Sequence, residues 1–465
     1  MIDNRTNDKT VPYGAREKMP FWYSLTWSSR SVAAAINILL VAYVTFYCTD
    51  VLGLKAAIVG TILLASKIID AITDICAGYI IDKTHTKIGK ARPYEVFIVG
   101  EWILTIMLFS TPNFGATMQY VWTFIIYVLI NAVCVAALGS SDSVYMARAF
   151  STENNRMKAM SVSGFLVMMI SIIFTILVPQ FIDSVGTSQS GWTMLVTAIA
   201  APMAIIGILR FIFVKEIVDD SNSNETANSS HFNDKITIKD SFKALSKNKY
   251  LFIIVGLMFI YAVINNFGTA NTYYFKYIIG DISKMSLMSM TSLITPFVLI
   301  GYPMLNRKLG SDRILRFFSI CGVAGVIIRI IGGTNMATIM IGTVGISLAN
   351  VPIGMMINNY LIECMDYGEW KTGVRVEGLI ASITNFSNKL GGGVTSAALG
   401  FIMGLAGYDG KVEVQSATAL TAINCVFNWV PFIFFVLMFL LSVAYRMDNI
   451  RPQMMADLKK KHEIM

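Results

Sequence analysis

Apolar stretches of about 20 residues recur along the whole chain, separated by short polar links that often carry Gly, Pro or Asn. As an α-helix, each stretch is long enough to cross a hydrocarbon core of roughly 30 Å. The pattern predicts about twelve spans, at residues 26–48, 57–82, 94–111, 119–148, 159–182, 192–214, 251–279, 286–306, 314–333, 337–364, 379–406 and 418–445. The expected fold class is therefore an all-α membrane protein.

The longest polar stretch, residues 215–250, divides the spans into two sets of six. It opens with the low-complexity run DDSNSNETANSS and continues as KDSFKALSKNK, where Ile238, Phe242 and Leu245 have the spacing of an amphipathic surface helix. The expected organisation is a tail at 1–25, a six-helix half at 26–214, a middle loop at 215–250, a second half at 251–445 and a tail at 446–465. The 2–3 link, G78-YII-D82-KTHTKI-G89-K90-A-R92-P93, and the 8–9 link, G301-YPMLN-R307-K308-L-G310-SD-R313, both combine glycines with cations. Such pairing suggests a duplicated transporter whose halves meet at a midplane site, although ordinary basic loops would look similar.

Composition supports water not being the main solvent: 55% of residues are hydrophobic and 14% charged. The net charge of +8 raises the question of a polyanionic partner. Its distribution answers this, since the even-numbered links and the two tails hold 26 of the 37 Lys and Arg. That bias places both termini in the cytoplasm of a multi-pass cell-membrane protein, and nucleic acid is not an expected partner. The first twenty residues lack a basic-then-apolar leader pattern, so no cleaved signal is expected. Six cysteines sit in or beside spans without metal or disulfide spacing. The three histidines lie in loops or tails, and no H-E-x-x-H, G-x-S-x-G or P-loop pattern occurs, so an enzyme is not expected.

Charges inside spans are costly and tend to be retained with a partner or a task. The second span carries three of them: Lys67, Asp70 and Asp74 stand at i, i+3 and i+7, on one helical face, with Thr73 alongside. Two carboxylates and a hydroxyl offer hard oxygen ligands to Na⁺, and Lys67 can neutralise one acid when no cation is bound. A carboxylate also accepts H⁺, so proton coupling stays open beside sodium. A plain buried Lys67–Asp70 pair is the structural alternative.

The stretch D70-AITD74-ICAGYIID82-KTHTKIGKARP93 resembles the helix 2 signature of the glycoside–pentoside–hexuronide:cation symporters, the family of melibiose permease and the glucuronide carriers. E363-CMDYGEWKTGVRVEG378, followed by Lys389, is similar to that family's helix 10–11 signature. The resemblance implies a major facilitator-type fold and symport of a sugar with Na⁺, H⁺ or Li⁺. It makes Asp70 and Asp74 the cation carboxylates, Thr73 a further ligand, Lys67 their charge partner and Lys389 a lysine between cation and sugar. The chain departs from the family in its first span, where T26-WSSRS31 offers Arg30 in place of an acid. In the fourth span Asp142 lies near the family's second sugar-binding acid.

Polar groups clustered within spans are the remaining candidates for holding a sugar: Trp27, Arg30 and Asn37 in the first, Asp142 in the fourth, Asn266 and Tyr273 in the seventh, Asn358 in the tenth, and Asn385 and Lys389 in the eleventh. Asparagines of this kind also serve as bonds between packed helices. If Arg30 and Lys389 both face the cavity, a hexuronide carboxylate is favoured; alternatively Arg30 pairs with Asp142 or Glu101. Arg92, Glu363, Asp366, Glu369 and Arg375 are expected to form gating ion pairs between the halves. The function expected is a monomeric sugar symporter with no cofactor beyond its coupling cation Na⁺ or H⁺, working among membrane lipids. A cation-coupled carrier of lysolipids or other amphiphiles is the alternative, for which a greasy tunnel would replace the polar cavity.

Overall fold

The computed structural model describes residues 13–16, 19–84, 86–217, 248–372 and 377–464. The amphipathic stretch at 238–245, Arg375, His85 and His231 lie outside the described residues. The chain is helical almost throughout: α1 (Phe21–Val51), α2 (Ala56–Lys83), α3 (Phe97–Leu108), α4 (Ala116–Ala149), α5 (Glu153–Val185), α6 (Gln189–Phe213), α7 (Lys249–Ile279), α8 (residues 282–309), α9 (Ser311–Gly332), α10 (Met336–Thr372), α11 (Glu377–Leu405), α12 (Ala417–Ala444) and α13 (Met447–Ile464). Among the described residues nine helices are long and apolar enough to cross a membrane: α1, α2, α4, α5, α6, α7, α8, α9 and α12. This is an all-α, multi-span membrane protein.

Against the expected count of about twelve spans, nine are clear among the described residues. α3 is helical but has only 12 residues. α10 holds a shorter apolar stretch, Met336–Asn350, among its described side chains. Several spans run past the edges read from hydropathy, α5 by several residues at each end, because a helix continues into the interface until a cap stops it. Thr152, Ser188, Asn248 and Ser416 accept the N–H three residues on and start α5, α6, α7 and α12. Gly186 and Gly333, at φ 58° and 57°, end α5 and α9 in a conformation that a Cβ would strain.

The chain forms two compact units. One comprises Met1–Ser230 with Asp409–Glu413, the other His231–Tyr408 with Val414–Met465. In the N-terminal unit α1 packs on α5 and α6, α2 on α4, and α3 on α6. In the C-terminal unit α7 packs on α11, α8 on α10, and α9 on α10 and α12. The pairings α1–α5, α2–α4 and α3–α6 therefore recur six helices later. The N-terminal unit has an aromatic core around Tyr23, Trp27, Tyr145 and Phe150. The C-terminal unit has one around Tyr250, Tyr360, Tyr367 and Tyr445. All six cysteines are free.

Glu216, three residues beyond α6, fixes the link between α2 and α3. Its carboxylate accepts the backbone N–H groups of Lys90, Ala91 and Arg92 at 3.0, 2.7 and 2.8 Å, and Arg148 donates to it at 2.7 Å. The three amides begin the turn Arg92–Val96 that leads into α3, so a buried carboxylate at its N-terminal end satisfies donors that the turn leaves open. Glu216→Ala is expected to lower stability by about 2–3 kcal/mol, which a thermal melt of the purified protein in detergent will register as a clear drop in Tm.

Candidate functional site

On α2 the expected group assembles on one side. Asp70 is buried, Asp74 and Thr73 are half-buried, and Lys67 Nζ lies 3.8 Å from Asp70 Oδ2. Thr73 donates its hydroxyl to the Asp70 backbone carbonyl at 3.0 Å, which leaves its oxygen lone pairs available as acceptors. The Lys67 ammonium makes its shorter contact elsewhere, donating to Asn131 Oδ1 on α4 at 2.8 Å. The Tyr127 ring also lies beside it, 5.7 Å from its centroid. Asn131 was not among the residues singled out by sequence, because one asparagine in an apolar span looks like any other bond between helices. Among the described residues no group of three or more His, Cys, Asp and Glu side chains is gathered as for a metal ion.

A second charged group fills the interior of the N-terminal unit. Arg30 on α1 pairs with Asp142 on α4 and lies 3.7 Å from Glu95. Arg210 on α6, fully buried, reaches Asp142 at 2.7 Å and Glu95 at 3.3 Å. Its guanidinium also stacks 3.4 Å from the Trp27 ring centroid and 4.9 Å from that of Tyr145. Two arginines thus face two carboxylates on four different elements, with aromatic rings closing the sides. Of the two acids expected beside Arg30, Asp142 makes the pair. Glu101 is fully buried on α3, with neither carboxyl oxygen in a hydrogen bond.

The structure therefore brings Trp27, Arg30 and Asp142 together, but with their charges mutually satisfied. Asn37 is separate, donating to Thr105 on α3 at 2.8 Å. In the C-terminal unit Asn266 is exposed and donates to the Ala262 carbonyl one turn back at 2.8 Å. Tyr273 is buried edge-on against Tyr408, with ring centroids 5.5 Å apart. Lys389 is half-buried on α11, while the side chains of Asn358 and Asn385 lie outside those described.

Of the residues expected to gate, Arg92 and Glu363 have contacts within their own units. Arg92 donates to the Phe211 carbonyl at the end of α6, at 3.0 and 2.8 Å. Glu363 accepts from Tyr445 at 2.7 Å and lies 3.1 Å from Arg451. Asp366 is half-buried and Glu369 buried, both on α10.

Comparison with known proteins places this arrangement in context. The family model described as MFS/sugar transport protein matches residues 28–449. The isoprimeverose transporter of Lactiplantibacillus pentosus is 31% identical over 96% of this chain and 93% of its own. The glucuronide carrier protein homolog of Escherichia coli is 22% identical, with 92% of both chains covered. Among solved structures, the xylose transporter XylE from E. coli aligns with a TM-score of 0.62 at 12% identity, covering 91% of this chain and 94% of its own. The nucleoside transporter NupG aligns at 0.64 and 13%, covering 90% and 100%. These two likenesses speak to the fold.

Proposed function

From the premise that the chain belongs to the MFS/sugar transport protein family, we propose that it imports an uncharged glycoside or pentoside by symport with Na⁺ or H⁺, through alternating access. It is a transport protein rather than an enzyme, broadly related to the glycoside–pentoside–hexuronide carriers. It acts as a secondary-active carrier that moves a small polar solute coupled to an ion. The finer reading comprises twelve membrane helices in two six-helix halves, cytoplasmic termini and the particular ion and sugar.

The observation that carries the coupling part is the α2 group: Asp70 buried within an apolar span, with Lys67 3.8 Å away and Thr73 and Asp74 beside it. A buried carboxylate in a membrane helix is costly unless it has a partner or holds a cation. Lys67 is a partner tethered to the same helix, so an incoming monovalent cation can take over its role at the carboxylates as the ammonium moves aside. Binding of the cation then biases the conformations available to the solute site, which is how a gradient of one drives the other.

The solute part rests on two supports. The relative named for isoprimeverose, an uncharged disaccharide, covers nearly the whole chain. The Arg30 guanidinium, which if unpaired would favour a hexuronide carboxylate, is occupied by Asp142 and Glu95. That leaves Lys389 as the other half of the hexuronide argument. We also assign Lys389 and the polar residues of α7, α10 and α11 to solute contact, and Arg92, Glu363, Asp366, Glu369 and Arg375 to gating. The gating residues' present contacts would be exchanged as the carrier changes conformation.

Uptake of labelled isoprimeverose, a neutral glucoside and the corresponding glucuronide into proteoliposomes tests the reading. An imposed inward Na⁺ or H⁺ gradient is expected to drive accumulation of the neutral solutes, with the glucuronide taken up at least several-fold more slowly. Faster glucuronide uptake would overturn the solute assignment, and uptake indifferent to both gradients the coupling assignment.

A further inference from the structure

We infer that Asn131 is a positioning residue for the α2 cation site: its side-chain oxygen holds the Lys67 ammonium beside the Asp70 carboxylate rather than on it. In doing so it sets how strongly this built-in cation competes with the transported one. The inference rests on the reading of Asp70 and Asp74 as the coupling site.

Two distances carry the argument. Lys67 Nζ is 2.8 Å from Asn131 Oδ1 but 3.8 Å from Asp70 Oδ2. The first is a full hydrogen bond and the second an ion pair without one. The direction of the asparagine amide is fixed as well, since its Nδ2–H donates to the Tyr127 carbonyl on its own helix at 2.9 Å. With the nitrogen committed there, the oxygen is the end left for Lys67. Asn131 lies in a π-helical segment, Leu129–Val135, where the usual ladder of backbone bonds is interrupted and a side chain can take up a helix carbonyl. Tyr127 contributes twice, by that carbonyl and by its ring 5.7 Å from the ammonium. Asn131 is 8% exposed and the Lys67 side chain 24%, so water competes weakly at the asparagine.

An ammonium and a transported monovalent cation are attracted to the same carboxylate oxygens. While Asn131 draws Lys67 toward α4, Asp70 keeps room for a second cation. Without the asparagine oxygen, the strongest remaining partner for the ammonium is Asp70, and Lys67 becomes an internal competitor.

The test measures the external Na⁺ or H⁺ concentration that gives half-maximal isoprimeverose uptake in proteoliposomes. Variants are Asn131→Leu, Asn131→Ser, Lys67→Met and each Asn131 variant combined with Lys67→Met. Serine is too short to reach Lys67 but keeps a hydroxyl that can donate to the Tyr127 carbonyl, so it guards against a folding defect in the leucine variant. The half-saturating cation concentration is expected to rise on the order of tenfold in both single Asn131 variants, with the solute KM at saturating cation unaffected. In the Lys67→Met background the Asn131 substitutions are expected to cause no further rise. An unchanged half-saturation in the serine variant, or an equal rise with and without Lys67, would overturn the inference. If Asp70→Asn abolishes gradient-driven uptake while the Asn131 variants behave as wild type, only this inference falls. If Asp70→Asn accumulates normally, the coupling-site reading falls and takes this inference with it.

Discussion

Arg210→Ala is expected to destabilise the N-terminal unit by about 3–5 kcal/mol, a large share of what holds a folded domain together. The arginine is fully buried and answers two carboxylates, Glu95 at 3.3 Å and Asp142 at 2.7 Å, while lying against Trp27. Removing it leaves two carboxylates facing one guanidinium, that of Arg30, and opens a cavity beside the indole. Desolvated charges without a partner are among the few features that cost this much in a single substitution. Lysine is a poor replacement, because one ammonium cannot set separate nitrogens against two acids and also lie flat on a ring. Arg210→Ala should therefore yield little monodisperse protein by size-exclusion in detergent, and a lowered Tm in what remains. Adding Glu95→Gln, which removes the matching negative charge, should recover part of the loss. A normal Tm for Arg210→Ala would show that the network is not what holds α1, α4 and α6 to the turn before α3.

Asp70→Asn is expected to abolish concentrative uptake while leaving the protein folded. Asparagine matches the carboxylate in shape but carries no charge for a cation or for Lys67. Coupling between two ligands of one carrier is typically worth roughly 5–150-fold, so the accumulation ratio should fall on the order of tenfold or more toward simple equilibration. Exchange of labelled for unlabelled solute, which needs no net cation movement, should persist. Loss of both accumulation and exchange with a normal melting profile would instead place Asp70 in solute binding or in the conformational cycle.

The helices were legible because lipid leaves a helix no alternative: every backbone group must be satisfied within the span, and a run of apolar residues declares it. The one-faced charges of α2 were legible for the same reason, since Lys67, Asp70 and Asp74 stand out against an apolar background. What sequence spacing carries poorly is pairing across the chain. Arg210 was visible as a charge within a span, but its partners lie 115 and 68 residues earlier, at Glu95 and Asp142, and no periodicity links them. Arg30 beside Asp142 was one of two pairings open at the level of sequence; Glu95, at the edge of α3, was the acid not considered. Glu216 sits past the last apolar residue of its helix, where an acid looks like ordinary loop polarity, yet it gathers three backbone donors and Arg148.

The central claim is that the α2 carboxylates couple a cation gradient to solute movement. The most direct test is isoprimeverose accumulation in proteoliposomes under an imposed inward Na⁺ or H⁺ gradient, for wild type and Asp74→Ala side by side. The account predicts accumulation above equilibrium for wild type and none for Asp74→Ala, with exchange retained in both; full gradient-driven accumulation without Asp74 would contradict it.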